Sequence, residues 1–239
     1  MKSIPILYKD KNIIAVYKPP GMMVYEMGEN YQKHKCLQSK LEASFNRPFY
    51  PIHWIERACS GIVIMATSPV IASELSKVWL SNVTLNYQVL VKGNIQEAGV
   101  FRFSLKDRNF FNQPAITHYK PIGCYGPTTL MEVSTDTECR HQIRRHFSRR
   151  CANVIGDSRY GQGKWNAFFK SAYGLNRIFM HLAYVKLDLR NYKKALEIQC
   201  PMPDELKSIL KQIAMSSSLC NQLGLPRAYS FRSDMMPFL

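Results

Sequence analysis

Apolar residues recur along the chain mostly in short runs with a period near two. Only in three places do they take the three-to-four spacing of a helix. The short runs predict strands over 13–17, 61–67, 84–92, 100–105, 116–122, 128–134, 178–189 and 196–200. Helices are predicted over 68–80, 140–150 and 203–214. The first helix opens Ser68-Pro69, a cap followed by a first-turn proline. The second is basic and amphipathic, with Ile143 and Phe147 on one face. The third opens Pro203-Asp204-Glu205, and acids suit a helix N-terminus. Strands outnumber helices and many are neighbours in sequence. This predicts an α+β fold on a mixed, mainly antiparallel β-sheet with flanking helices. No repeat and no Gly/Ser- or Pro-rich linker divides the chain, and 216–239 has no period, which predicts a partly mobile tail.

Length and composition narrow the class. The chain has 239 residues, which suits one large domain or two small ones. Hydrophobic residues at 46% and charged residues at 21% exclude a disordered chain. Apolar runs such as Ile62 to Ala66 fall far short of the ~20 residues a membrane span needs. The N-terminus meets Pro5 and then Lys9 and Asp10 too early for a signal peptide. The seven cysteines are odd in number and contain no C-x-x-C pair, so neither a disulfide framework nor a four-cysteine zinc site is expected. A soluble, cytoplasmic chain with reduced thiols is the expectation, with no membrane partner and no obligate protein partner.

Charge adds the first functional direction. Residues 137–194 hold 13 Lys and Arg against 3 Asp and Glu, so +10 of the net +15 lies in that stretch. A concentrated positive field points to a polyanion, nucleic acid first.

Four segments carry candidate chemistry. Tyr17-Lys18-Pro19-Pro20-Gly21-Met22 is a strand ending in an abrupt turn; by itself it is a loop. His53-Trp54-Ile55-Glu56-Arg57-Ala58-Cys59-Ser60-Gly61 places an acid just before a buried strand. Glu56 is either a catalytic carboxylate or a surface acid paired with Arg57. In Leu85-Asn86-Tyr87-Gln88-Val89-Leu90-Val91-Lys92-Gly93, alternation turns Tyr87, Val89 and Val91 to one face. Arg140-His141-Gln142-Ile143-Arg144-Arg145-His146-Phe147-Ser148-Arg149-Arg150 stacks Arg140 with Arg144 and Arg145 with Arg149 at helical spacing. One arginine stripe can face a carboxylate while the other meets phosphates. His141 and His146 lack the H-E-x-x-H spacing, so no metal is expected. Val154-Ile155-Gly156-Asp157-Ser158-Arg159-Tyr160-Gly161 follows as a strand end and a glycine-bounded loop.

In this order, YKPPGM, HWIERACSG, NYQVLVKG, HQIRRH and IGDSRYG resemble the RluA-type pseudouridine synthases. Further blocks (PAITHYK at 114–120, GPTTLMEV at 126–133 and LNRIFMHLAYVKL at 175–187) are similar to its tRNA pseudouridine synthase C branch. The resemblance implies a catalytic domain over 1–215, a tail over 216–239, and a central cleft holding RNA. It implies isomerisation of a uridine in structured RNA, tRNA above all, with no cofactor and no metal. It places the family's acid at Glu56, its tyrosine at Tyr87 and its arginine at Arg144. The carboxylate would act as nucleophile or base on a flipped-out uridine. Arg144 would keep it ionised, and Tyr87 would stack on the base and relay the C5 proton. Arg57, Arg140, Arg145, Arg149, Arg150 and Lys164 would bind the RNA backbone.

The chain departs from that pattern at the acid. The family carries aspartate in H-R-L-D-R-x-T-S-G, where this chain has Glu56, with Trp54 for arginine and Cys59 for threonine. Glu138-Cys139 stands where Gly-Arg is usual. One methylene moves the carboxylate by ~1.5 Å, about one C–C bond, and about 1 Å at a reacting centre costs on the order of 100-fold in rate. Three readings stay open: an active synthase that uses glutamate, an RNA-binding homologue with little isomerase activity, and a basic scaffold protein whose partner is not RNA, which the five-segment match disfavours.

Overall fold

A computed structural model of the chain describes residues 3–25, 36–188 and 195–222, with side chains to residue 216. In chain order the elements are β1 (Ile6–Lys9), β2 (Ile13–Lys18), α1 (Leu37–Phe45), β3 (Tyr50–Pro51), β4 (Ser60–Ala66), α2 (Pro69–Asn82), β5 (Val83–Lys92), β6 (Gly99–Phe101), β7 (Leu105–Lys106), β8 (Asn112–Gln113), β9 (Thr117–Tyr125), β10 (Thr128–Thr135), α3 (Gln142–Arg149), α4 (Gly163–Tyr173), β11 (Met180–Leu187), β12 (Leu196–Gln199) and α5 (Asp204–Gln222). The fold is α+β, and its strand pairs are mostly antiparallel. The residues divide into two units, Met1–Asn86 with His181–Pro201, and Tyr87–Met180 with Met202–Leu239.

In the first unit β2 lies antiparallel between β1 and β4. The start of β4 pairs in parallel with β11, and β12 pairs antiparallel with β11. β2 and β4 read as continuous apolar runs because Ile13 to Val16 and Ile62 to Ala66 are fully buried, as expected of strands covered on both faces. α2 begins as its sequence dictates, with the Ser68 hydroxyl accepting from the Ile71 amide at 3.3 Å, and it buries Trp79. Gly61, at φ +133°, is held to glycine by space as well as by backbone: a Cβ there would collide with the Leu182 backbone.

In the second unit β10 lies antiparallel between β5 and β9, and β6 pairs with the start of β9. β7 and β8 form a separate two-stranded ribbon. One core of Leu90, Leu130, Ile155, Phe169, Phe179, Leu206, Ile209 and Ile213 joins strand β5 to helices α4 and α5.

The structure corrects several expected elements. The strand expected over 100–105 is broken: β6 ends at Phe101, and β7 starts at Leu105 as part of the ribbon. The helix expected over 140–150 starts only at Gln142, because His141 takes a left-handed conformation, φ 56°. The last helix runs eight residues beyond 214, to Gln222, so the expected tail starts as helix; 223–239 lie outside the described residues. Helices α1 and α4 and the short strands β1, β3 and β8 lacked a period strong enough to announce them.

Candidate active site

The acid segment lies in the first unit and is built around a lysine. Lys18, at the end of β2, is fully buried. Its ammonium donates to four backbone carbonyls: Pro19 at 2.9 Å, Met22 at 2.8 Å, Arg57 at 3.2 Å and Cys59 at 2.7 Å. The loop from the first segment and the turn from the second are thereby one piece. Two further bonds join them, from the Gly21 amide to the Arg57 carbonyl at 2.7 Å and from Arg57 Nε to the Gly21 carbonyl at 3.0 Å. The Cys59 amide closes the turn on the Glu56 carbonyl at 3.0 Å. Ile55 is buried below, Trp54 is 60% exposed, and Glu56 itself is half-buried.

The start of β4 is pinned as well. The Ser60 hydroxyl donates to His181 Nδ1 at 2.9 Å, and His181 Nε2 donates to the Cys200 carbonyl at 3.0 Å. His53 Nε2 accepts from the Ile64 amide at 3.1 Å, and its ring stacks on Trp79 at 4.8 Å. Burial pushes His53 down to about 3, so it is neutral.

Tyr87 and Arg144 belong to the second unit. Tyr87 stands on β5 opposite Val133 and is 9% exposed. Helix α3 has no Ser, Thr, Asp or Asn cap. Its first-turn amides have no side-chain cap; Gln142 instead ties down the turn before the helix, its Oε1 accepting from the Cys139 amide and the Thr137 hydroxyl, each at 3.0 Å. Ile143 and Phe147 are buried as their spacing predicted, and Arg144 and His146 are buried beside them.

Arg144 meets Asp157 in a two-pronged pair, Nε to Oδ2 at 2.8 Å and Nη2 to Oδ1 at 2.5 Å. Asp157 also accepts from the amides of Arg159 at 2.8 Å and Tyr160 at 3.0 Å. Burial pushes the Asp157 carboxyl up, but the Arg144 hydrogen bond, the two amides and the Arg144 charge together hold it below the ordinary carboxylate value. The guanidinium lies over the Tyr160 ring at 5.1 Å, and the Tyr160 hydroxyl meets His141 Nδ1 at 3.0 Å. Burial first, then the charges of Arg144, Arg140 and Arg159, bring His141 down to about 4, against a smaller upward pull from Asp157.

The family model described as RNA pseudouridylate synthase matches residues 12–149, more than half of the chain. The chain belongs to the RNA pseudouridylate synthase family. It is 25% identical to a tRNA pseudouridine synthase C of Vibrio cholerae over 90% of this chain and 98% of that one. It is 29% identical to a tRNA pseudouridine synthase C of Haemophilus ducreyi over 74% of this chain and 82% of that one. Among solved structures, human RNA pseudouridylate synthase domain containing 4 superposes with a TM-score of 0.73 at 18% identity, covering 87% of this chain and 92% of that one. Its counterpart domain containing 1 gives 0.69 at 20% identity, covering 84% of each chain.

This pseudouridine synthase is thus an isomerase acting on RNA, and Glu56, Tyr87 and Arg144 all fall within the matched residues. The arginines expected to meet RNA differ in freedom. Arg57 and Arg140 are exposed, as is Lys164 at the start of α4. Arg145 and Arg150 are half-buried. Arg149 is exposed but already donates to the Ser104 carbonyl at 3.0 Å and lies over the Phe103 ring at 5.3 Å.

Sequence reasoning left Lys18 and Asp157 without roles. Both stood inside motifs that had been singled out. A lysine that ends an otherwise apolar strand and an aspartate between glycines, after a buried run, were the available signals. Among the described residues no group of three or more His, Cys, Asp or Glu could hold a metal ion, and no helix is long and apolar enough to cross a membrane.

Proposed function

We propose that the chain converts one uridine of a structured RNA, a tRNA, to pseudouridine in the cytoplasm, with Glu56, Tyr87 and Arg144 as its catalytic group. The tRNA substrate is supported by the names of the bacterial relatives. The observation that carries the reading is the acid turn itself: a half-buried glutamate on a turn that a buried lysine locks from below. A carboxylate used in catalysis must be held in place before the substrate arrives.

In this reading the uridine leaves its stack. The Glu56 carboxylate acts as nucleophile or base while the C1′–N1 bond breaks. The freed uracil turns, C1′ joins C5, and the C5 proton departs with Tyr87 as stacking partner and relay. Arg144 favours the ionised acid by its charge. Arg57, Arg140, Arg145, Arg149, Arg150 and Lys164 contact the RNA backbone.

A second reading, an RNA-binding homologue with little activity, is favoured by one observation: glutamate stands where the family pattern has aspartate. Release of tritium from RNA labelled at uracil C5 separates the two. If glutamate is the working acid, Glu56→Gln abolishes release, RNA binding survives, and Glu56→Asp slows it. If it is a remnant, the wild type releases little and Glu56→Asp gains. An active wild type whose Glu56→Gln variant is equally fast would overturn both.

A further inference from the structure

Between β6 and β9 the second unit extends the β7–β8 ribbon, whose root is built and whose tip is bare. At the root Leu105 and Ala115 are buried. Helix α3, which carries Arg144, holds the chain there: His146 Nε2 donates to the Phe103 carbonyl at 3.1 Å, Arg149 donates to the Ser104 carbonyl, and Arg149 and Arg150 lie over the Phe103 ring at 5.3 and 5.5 Å. At the tip Phe110 is 77% exposed and Phe111 67%.

The tip is not loose chain. Asp107 binds the amides of Asn109 at 2.8 Å and Phe111 at 3.0 Å through Oδ1, and Gln113 Nε2 at 3.2 Å through Oδ2. The Asp107 amide donates to the Phe111 carbonyl at 2.9 Å. Phe110 is left-handed, φ 65°, a conformation that a bulky residue adopts only against resistance. Two adjacent rings are thus held out in water on a strained, hydrogen-bonded turn, where folding gains nothing from them. Lys106 and Arg108 are exposed on the ribbon beside it and Arg102 is exposed just before its root, and the tip's one acid, Asp107, is engaged in the turn.

We propose that Phe110 and Phe111 form a stacking platform for two unpaired bases of the RNA substrate, with Arg102, Lys106 and Arg108 meeting the adjoining phosphates. The inference rests on the reading of the chain as acting on RNA. Aromatic rings framed by cations suit single-stranded nucleic acid, because every base has a face to stack and every nucleotide a charge to neutralise. A protein partner would leave the cations without purpose.

The test is binding by the full chain to a 12-nucleotide oligouridylate and to unfractionated tRNA, across a salt series. Phe110→Ala and Phe111→Ala each weaken oligouridylate binding roughly tenfold, the scale of one lost base–aromatic stack. The double variant loses more, while the slope of affinity against salt stays, since the phosphate contacts remain. Phe110→Trp and Phe111→Trp retain affinity, and RNA quenches the new indole emission. Wild-type affinity in the double alanine variant, indole emission indifferent to RNA, or no binding of either RNA by the wild type overturns the platform. So does a wild type that self-associates through these rings while the double variant is monomeric. A chain that binds through the two rings yet releases no tritium keeps the platform and overturns the synthase reading. Normal tritium release and affinity in the double variant do the reverse.

Discussion

Asp157 holds Arg144 by both faces of the pair, with each carboxylate oxygen taking one guanidinium nitrogen, at 2.8 and 2.5 Å. The aspartate is 1% exposed and the arginine 8%. Removing one partner of a buried pair strands the other's charge, at a cost of about 3–5 kcal/mol. Asp157→Ala is therefore expected to lose stability on that scale in urea denaturation, and tritium release with it. Asp157→Asn keeps an acceptor for the two amides and loses less. A Asp157→Ala variant within about 1 kcal/mol of wild type would show that the pair is solvated.

The Lys18 ammonium lies within hydrogen-bond reach of four carbonyls and, with three N–H groups, shares one of them between two acceptors. Lys18→Met fills similar volume but supplies no donor. Leaving buried acceptors unpaired costs about 1–3 kcal/mol each at the upper end of the effect. The variant is expected to lose at least about 2 kcal/mol, and to lose tritium release even at temperatures where it stays folded, because the Glu56 turn is released. Full activity in a folded Lys18→Met chain would detach the lysine from the acid's placement.

Gly61→Ala tests a single atom. The new Cβ has the Leu182 backbone in its way, and the φ of +133° is hostile to any L side chain. Backbone cannot yield as a side-chain tip can, so a loss of several kcal/mol is expected, on the order of the largest single-residue effects. The measurement is the yield of soluble protein and its melting temperature. Gly93→Ala, where nothing stands within 4 Å of the new Cβ although φ is +101°, is the control for backbone strain alone.

Stability should fall with acid in two stages. His141 and His53 are depressed to about 4 and about 3, and burial also lowers His146. The unfolded chain takes up their protons near the ordinary value of 6.5 while the folded chain does not. Their contribution is therefore full above about 6.5 and declines from there, for His141 toward about 4 and for His53 toward about 3. Asp157 is depressed in the folded state. Its contribution holds above the ordinary carboxylate value near 3.8 and is lost as pH falls through its folded value. Melting temperatures from pH 7.5 to 3 would show both limbs, and a flat curve between 6.5 and 4.5 would contradict the first.

The strands were legible in the sequence where burial on two faces made long apolar runs, as at Ile13 to Val16 and Ile62 to Ala66. The two helices that announced themselves best had either a cap, Ser68-Pro69, or a basic stripe around Ile143 and Phe147. Helix α4 went unseen because it opens on glycine after Gln162, with no side-chain cap, and crowds its aromatics at Trp165, Phe168, Phe169 and Tyr173. The ribbon went unseen because two-residue strands have no period. For the proposed site, residue type offered Glu56 as a candidate acid, and the resemblance of the ordered motifs placed Tyr87 and Arg144. Residue type could not reveal Asp157 or Lys18, because their roles depend on which backbone groups and charges the fold brings to them.

The grip of Lys18 on the carbonyls of Arg57 and Cys59 bears on the proposal that Glu56 is the working acid. The main chain on the C-terminal side of Glu56 is tied down, so it cannot retreat to absorb a longer arm. An added carbon must instead be folded away in the torsions of the side chain. The carboxylate's reach then becomes a choice among a few staggered rotamers.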